Sequence, residues 1–293
     1  MTVTPETRVL QAPGATLRYD VRGDLKEAGA DRPVLLLIGL PMDAAGFATL
    51  ASHFADRVVV TYDPRGTGRS VRSDGGGELT PDDHAEDLRR LVEDLGTGPV
   101  EVFGSSGGAV NGLALVARHP ELVRTLVAHE PPLARVLPDS AAALAAVEDI
   151  HRTYLRAGLG PAMAKFLALA MRKGPLPESG TDEPAPDPAA FGLPTEDDGS
   201  RDDALLGQNI RGCCGYRPDV DALAAAPTRI VLAAGEESRD ELAARAAAAL
   251  ADRLGLPVTP FPSHHGGFLG GEYGQHGRPE AFAARLREVL RSA

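Results

Sequence analysis

Apolar residues fall in two rhythms along this chain. Unbroken apolar runs alternate with stretches in which apolar positions recur every three or four residues. Pro33-Val34-Leu35-Leu36-Leu37-Ile38 is an unbroken run, the pattern of a parallel strand buried on both faces. Val58-Val59-Val60-Thr61-Tyr62, Val100-Glu101-Val102-Phe103, residues 123–128, Thr228-Arg229-Ile230-Val231-Leu232-Ala233 and residues 257–261 are predicted strands of the same kind. Val9-Leu10 and residues 15–21 predict shorter strands, the second alternating, with Gly23 closing a turn. Helical spacing fills the gaps. Thr80 is a capping residue, Pro81 takes the first helical position, Asp82 and Asp83 stand in the first turn, and Gly96 ends the element. Its stripe is Ala85, Leu88, Leu91, Val92 and Leu95. A small helix is predicted over 44–54, and another from the elbow described below to His119, where Pro120 stops it. Strands alternating with helices predict an α/β fold, a mostly parallel sheet with helices on both faces.

The alternation fails in the middle of the chain. Residues 133–225 show helical patterns, over 142–157, 162–172 and 204–213, and no strand. Within them, 174–200 is rich in Pro, Gly and acids and reads as a mobile loop. The α/β rhythm then resumes. Ser238-Arg239-Asp240-Glu241 reads as a capping box opening a helix that runs to about residue 254. A loop, Ser263-His264-His265-Gly266-Gly267-Phe268, follows the last strand, and a helix over 280–291 closes the chain. The expected organisation is an α/β core over 1–132, a helical lid over 133–225, and the rest of the core over 226–293.

Composition narrows the functional classes. The 293 residues carry a net charge of −11, which argues against nucleic acid and anionic membrane as partners, since both call for basic patches. No run reaches the length of a transmembrane helix. The first eight residues are polar and lack the apolar stretch of a signal peptide. The two cysteines, Cys213 and Cys214, are neighbours. They form no disulfide framework and lack metal-site spacing, so they read as packing residues in a reduced, cytoplasmic setting.

The candidate chemistry centres on Gly104-Ser105-Ser106-Gly107-Gly108, a G-x-S-x-G run between a predicted strand and a predicted helix. This is the nucleophile-elbow pattern. The turn from strand to helix is sharp, and glycine neighbours let the two backbones approach. Ser106 stands at the apex. Ser105 is the free position of the pattern. The N–H of Gly107, at a helix N-terminus, points to the same spot and can bind an oxyanion.

Four features occur in the order found in one family. They are the turn Ile38-Gly39-Leu40-Pro41, the D-x-R-G-x-G-x-S turn from Asp63 to Ser70, the elbow at Ser106, and a late loop histidine, His265. The chain resembles the α/β-hydrolases over nearly all of its core. That resemblance implies Ser106 as nucleophile, His265 as general base, the N–H groups of Leu40 and Gly107 as oxyanion hole, and the turn around Arg65 as a structural element beside the site. His264 is the competitor for the base, and small residues such as Gly266 and Gly267 usually follow the family's base. The remaining histidines, His53, His84, His119, His151 and His276, read as surface or core residues, and His129 as a packing or lid-facing one. Ile38 stands where many members have His, a small matter for a hole built of backbone N–H groups.

The acid departs from the usual family place. Most members carry it after the strand at 230–233, at the position held here by Ser238. Glu236 and Glu237 are nearby substitutes. A minority of relatives, the haloalkane dehalogenases among them, take it from the end of the preceding core strand, where this chain has Glu130 in His129-Glu130-Pro131-Pro132. A carboxylate there faces the active-site edge of the sheet, so Glu130 is preferred. The resemblance implies a Ser-His-Glu hydrolase of an ester, lactone or thioester of a small, largely apolar molecule, with no metal or organic cofactor. Serine at the apex argues against dehalogenase and epoxide hydrolase chemistry, which use a carboxylate nucleophile. C–C hydrolysis, perhydrolysis, natural-product cyclisation, or a ligand-binding sensor with residual activity are the alternatives on the same scaffold.

Overall fold

The apolar runs become the strands of a single nine-stranded sheet, seen in a computed structural model that describes residues 4–177 and 185–291. β1 (Glu6–Ala12) and β2 (Ala15–Arg22) form an antiparallel hairpin. β3 (Leu35–Ile38), β4 (Val59–Asp63), the two-residue β5 (Val71–Arg72), β6 (Val100–Ser105), β7 (Val123–His129), β8 (Arg229–Gly235) and β9 (Val258–Phe261) follow. The order across the sheet is β1-β2-β4-β3-β6-β7-β8-β9, with β5 paired to β2 outside this path. From β4 to β9 every neighbouring pair is parallel. The C-terminal ends of these strands therefore lie along one edge. Ile38 pairs with Gly104, Ser105 with His129 and His129 with Ala233.

Successive residues of a buried strand point to opposite faces, and the packing obeys this. Leu36 and Ile38 join a cluster with residues of α2 (Pro81–Leu95), α3 (Gly107–Arg118) and α8 (Leu242–Leu254). Leu35 and Leu37 join the opposite cluster, with residues of α1 (Ala48–Ser52) and α9 (Pro279–Arg291). α2 starts as its sequence predicts. The Thr80 hydroxyl accepts from Asp83 N–H, the Asp83 carboxylate accepts from Thr80 N–H, and Gly96 closes the helix at φ 64°.

Between β7 and β8 lie α4 (Ser140–Ala157), α5 (Leu159–Ala170), a 3₁₀ turn (Pro188–Phe191), a π-helical turn (Ala204–Asn209), α6 (Ile210–Cys214) and α7 (Val220–Ala225). No strand occurs there among the described residues. Residues 178–184, part of the expected 174–200 loop, lie outside them. Ala143, Val147, Ile150 and Tyr154 of α4 belong to the larger core cluster, so the insertion shares its apolar interior with the sheet. A buried hydrogen bond links the two, from His84 Nε2 on α2 to Asn209 Oδ1 at 2.8 Å. Cys213 and Cys214 are buried and free, and burial pushes both thiols up. No described helix is long and apolar enough to cross a membrane.

Two local expectations are corrected, and one short strand, β5, was not expected. The helix predicted over 44–54 divides into a 3₁₀ turn (Ala44–Phe47), capped by Asp43, and the short α1. The break comes at Phe47, whose φ of −105° and ψ of 9° are not helical. β5 is too short to carry a periodic signal. The second correction concerns Ser238. α8 starts at Leu242 with Glu241 as its N-cap and no side-chain capping bond. The Ser238 hydroxyl is engaged elsewhere, at the candidate active site.

Candidate active site

β6 ends at Ser105 and α3 begins at Gly107, leaving Ser106 alone in the bend at φ 55°, ψ −126°. Such a backbone is strained for a residue with a side chain and persists only where its surroundings enforce it. Here they do. A Cβ on Gly104 would lie 2.8 Å from Gly108 O, one on Gly108 2.3 Å from Ile38 O, and one on Gly107 2.9 Å from both Leu40 Cβ and Leu40 O. The glycines are thus required by close backbone approach. Ser106 N–H donates to His129 O at 2.9 Å, and Ser106 O accepts from Ala109 N–H at 2.9 Å. Ser105 faces the other way. It is buried, with Oγ 3.2 Å from His129 Nδ1.

The contact between Gly107 and Leu40 puts the β3 turn against the start of α3. Among the described residues neither the Leu40 nor the Gly107 N–H has an acceptor in the protein. The D-x-R-G turn braces this region. Asp63 Oδ1 accepts from Ala44 N–H at 3.0 Å, which fixes the segment just beyond the Leu40 turn. Arg65 makes a two-pronged ion pair with Asp87 of α2, at 2.6 and 2.5 Å. None of these contacts involves the serine.

Glu130 follows β7 directly, also with positive φ, 49°. It is fully buried, and its N–H donates to Ala233 O at 2.9 Å. Oε1 accepts from Gly235 N–H at 2.7 Å and from the Ser238 hydroxyl. Oε2 lies 2.5 Å from His265 Nδ1. Burial by itself would raise the Glu130 pKa. The hydrogen bond and charge of His265, helped by His129 and the Ser238 hydroxyl, outweigh it and hold the carboxyl at about 2. Burial likewise opposes charging of His265, but the Glu130 carboxylate, with Glu241 behind it, raises its pKa above the ordinary value. With Nδ1–H given to the carboxylate, Nε2 is the nitrogen left to act.

Among the described residues, neither alternative acid bonds to this pair through its side chain. Glu236 and Glu237 are exposed, and Glu237 pairs with Arg278 at 3.0 Å. His264 is occupied by backbone at both nitrogens. Nδ1 accepts from Gly266 N–H at 3.1 Å, and Nε2 donates to His276 O at 3.1 Å. The ladder pairing of Ser105 with His129 puts the next residues, Ser106 and Glu130, side by side at the ends of neighbouring strands, which lie about 4.8 Å apart in such a sheet. Glu130 in turn holds His265. His129 is fully buried, and burial lowers its pKa to about 4.

A family model described as alpha/beta hydrolase fold matches residues 32–203, more than half of the chain. The chain belongs to the α/β-hydrolase fold family. Its similarity to the uncharacterized hydrolase YraK of Bacillus subtilis (strain 168) is 32% identity over 281 residues, covering 91% of this chain and 92% of that protein. A partial match, 42% identical over 95 residues, links 32% of this chain to 36% of the putative carbamate hydrolase RutD of Caulobacter segnis. Among solved structures, a thermophilic esterase from Thermogutta terrifontis superposes with a TM-score of 0.65 at 20% identity, covering 99% of this chain and 98% of that one. This last likeness concerns the fold.

Sequence reasoning missed two parts of the candidate site. One is Ser238 as a hydrogen-bond donor to Glu130. Its signal was a hydroxyl at the very position where most members keep a carboxylate. The other is the aromatic surrounding of His129, assembled from elements far apart in the chain, which no local pattern marks.

Proposed function

We propose that this chain is a serine hydrolase that cleaves an ester, lactone or thioester of a small, largely apolar molecule. The observation that carries the reading is the 2.5 Å contact of His265 Nδ1 with the buried carboxylate of Glu130, at the strand edge beside the strained Ser106. Ser106 is a weak nucleophile until His265 Nε2 accepts its proton during attack on the carbonyl. Glu130 holds the imidazole in the needed tautomer and stabilises the imidazolium. The Leu40 and Gly107 N–H groups receive the negative oxygen, and loss of one such donor typically costs about 3–4 kcal/mol. His265 returns its proton to the leaving group. Water, deprotonated by the same imidazole, then frees the acid and restores the serine. None of these steps calls on a metal or an organic cofactor.

The helical insertion over 133–225 serves as the lid in this reading, covering the strand edge on which Ser106 and Glu130 stand. Its apolar side chains favour an apolar acyl or ring group. The free, buried cysteines suit a reducing compartment such as the cytoplasm. A carbamate carbonyl passes through the same steps, and the partial relative named for carbamate hydrolysis makes it the first competing substrate to assay.

A fluorophosphonate probe tests the reading. It should label Ser106 in the wild-type protein and fail with Ser106→Ala and His265→Ala. p-Nitrophenyl acetate should turn over with the same dependence. Labelling that persists in Ser106→Ala would remove the serine from the mechanism.

A further inference from the structure

His129 ends β7 between Ser105 on one side and Ala233 on the other. Its ring lies in a box of Phe103, Phe261, Phe268 and Phe282, with centroid distances from 5.3 to 6.5 Å. The remaining neighbour is the His265 ring, 6.0 Å away and inclined by only 30°. Nδ1 is 3.2 Å from Ser105 Oγ. Nε2 is buried and has no partner among the described residues. A phenyl ring would fill such a box with no nitrogen left bare, so the imidazole calls for another explanation.

Its two contacts supply one. The edge of the ring holds the residue just before the proposed nucleophile, and its face meets the proposed base. The side-chain stem and the single hydrogen bond to Glu130 hold the His265 ring at two points and leave its tilt about the line through them unset. A flat ring against its face removes that freedom. We propose that His129 is a positioning residue, which sets the tilt of the His265 imidazole and ties it, through Ser105, to the elbow that carries Ser106. The proposal rests on the reading of Ser106 and His265 given above. It requires a neutral His129, because a charged ring would repel the imidazolium formed during reaction. The four phenyl rings keep the proton off. The titratable groups facing His129 are Glu130, which favours its charging, and His265, which opposes it.

The test compares His129→Leu, His129→Phe and Ser105→Ala with the wild type. Phe keeps a flat face and loses the tie, Leu loses both, and Ser105→Ala removes the tie from its other end. Two quantities are measured: the rate of fluorophosphonate labelling against pH, and the low-field proton NMR signal of His265 Nδ1–H. His129→Leu should label about tenfold more slowly, with the low-field signal broadened. His129→Phe should keep the signal sharp and slow labelling less. Ser105→Ala should match His129→Phe, and the two together should be no slower than either alone, since they break one hydrogen bond. Wild-type rates and signal in His129→Leu overturn the proposal. So does slower labelling with an unchanged signal, which would mark simple packing. Should His129→Leu not fold, wild-type rates in both other variants overturn it. Failure of the wild-type protein itself to label is a distinct result and defeats the reading of the site as a whole.

Discussion

The hydroxyl of Ser238 donates to the same Glu130 oxygen that accepts from Gly235 N–H. The last residue of β8 and the loop after it therefore supply donors to a carboxylate that directly follows β7. One carboxylate oxygen is anchored, and the other meets His265 in a fixed direction. Among the described residues, no Arg or Lys pairs with this buried charge.

Ser238→Ala should leave Gly235 N–H as the sole donor to that oxygen. A hydrogen bond to a charged group is worth about 1.5–3 kcal/mol. The variant should lose stability within that range in urea denaturation. Its kcat should fall about tenfold with KM unchanged, because the change loosens the proposed acid and removes no group proposed to touch substrate.

Glu130→Gln should lower kcat/KM by about 10³- to 10⁴-fold, as a neutral amide favours the wrong imidazole tautomer. Glu236→Gln and Glu237→Gln should stay near wild type. Steady-state kinetics on the three variants decides between them. Activity lost only at 236 or 237 would move the acid to β8.

The pH profile has a definite sign. The proposed base must be neutral, and its pKa is raised above the ordinary 6.5. Activity should fall as pH drops through a midpoint above 6.5, and that midpoint should move down in Glu130→Gln. Stability runs differently. The lowered pKa of Glu130 contributes above its ordinary 4.5 and is lost toward about 2. The raised pKa of His265 contributes below 6.5 and is lost as pH rises through the folded value. The pair should stabilise the fold most between 4.5 and 6.5, below the range of best activity. Chemical denaturation across pH, compared with the rate profile, checks this.

His129 acts in the opposite sense. The unfolded chain takes a proton on this residue near 6.5, while the folded protein resists until about 4. Its neutral burial therefore costs nothing above 6.5 and destabilises progressively from there down to 4, by about 3 kcal/mol in all. His129→Phe should remove that loss. Urea midpoints for the variant and wild type should diverge between pH 7 and 4, with the variant the more stable in acid.

Gly108→Ala should be severe. The new Cβ meets the Ile38 carbonyl at 2.3 Å, and that carbonyl ends a central strand with no room to retreat. Destabilisation of about 3 kcal/mol or more is expected, read as a large fall in Tm or as insoluble expression.

The parts of the fold legible in the sequence are those set by local physics. The elbow was legible because close backbone approach calls for glycine at 104 and 108. The start of α2 was legible because Thr80 and Asp83 satisfy each other within one turn. Glu130 could be placed because a residue ending a parallel strand must reach the shared edge. The unread parts depend on distant partners. Ser238-Arg239-Asp240-Glu241 fits a capping box, yet the hydroxyl binds Glu130, 108 residues earlier, and a buried carboxylate outcompetes a helix end for it. The box around His129 draws phenyl rings from β6, β9, the loop after β9, and α9. Nothing in the neighbourhood of residue 129 foretells them.

The place of Glu130, just after β7, also orders events during synthesis. On the proposed roles, the ribosome releases serine and carboxylate early, within one stretch of the α/β core. The imidazole at position 265 emerges only after the whole helical insertion, β8 and β9. On those roles, a chain halted before that loop would lack its proposed base, and Ser106 would remain the weak nucleophile that an unassisted hydroxyl is.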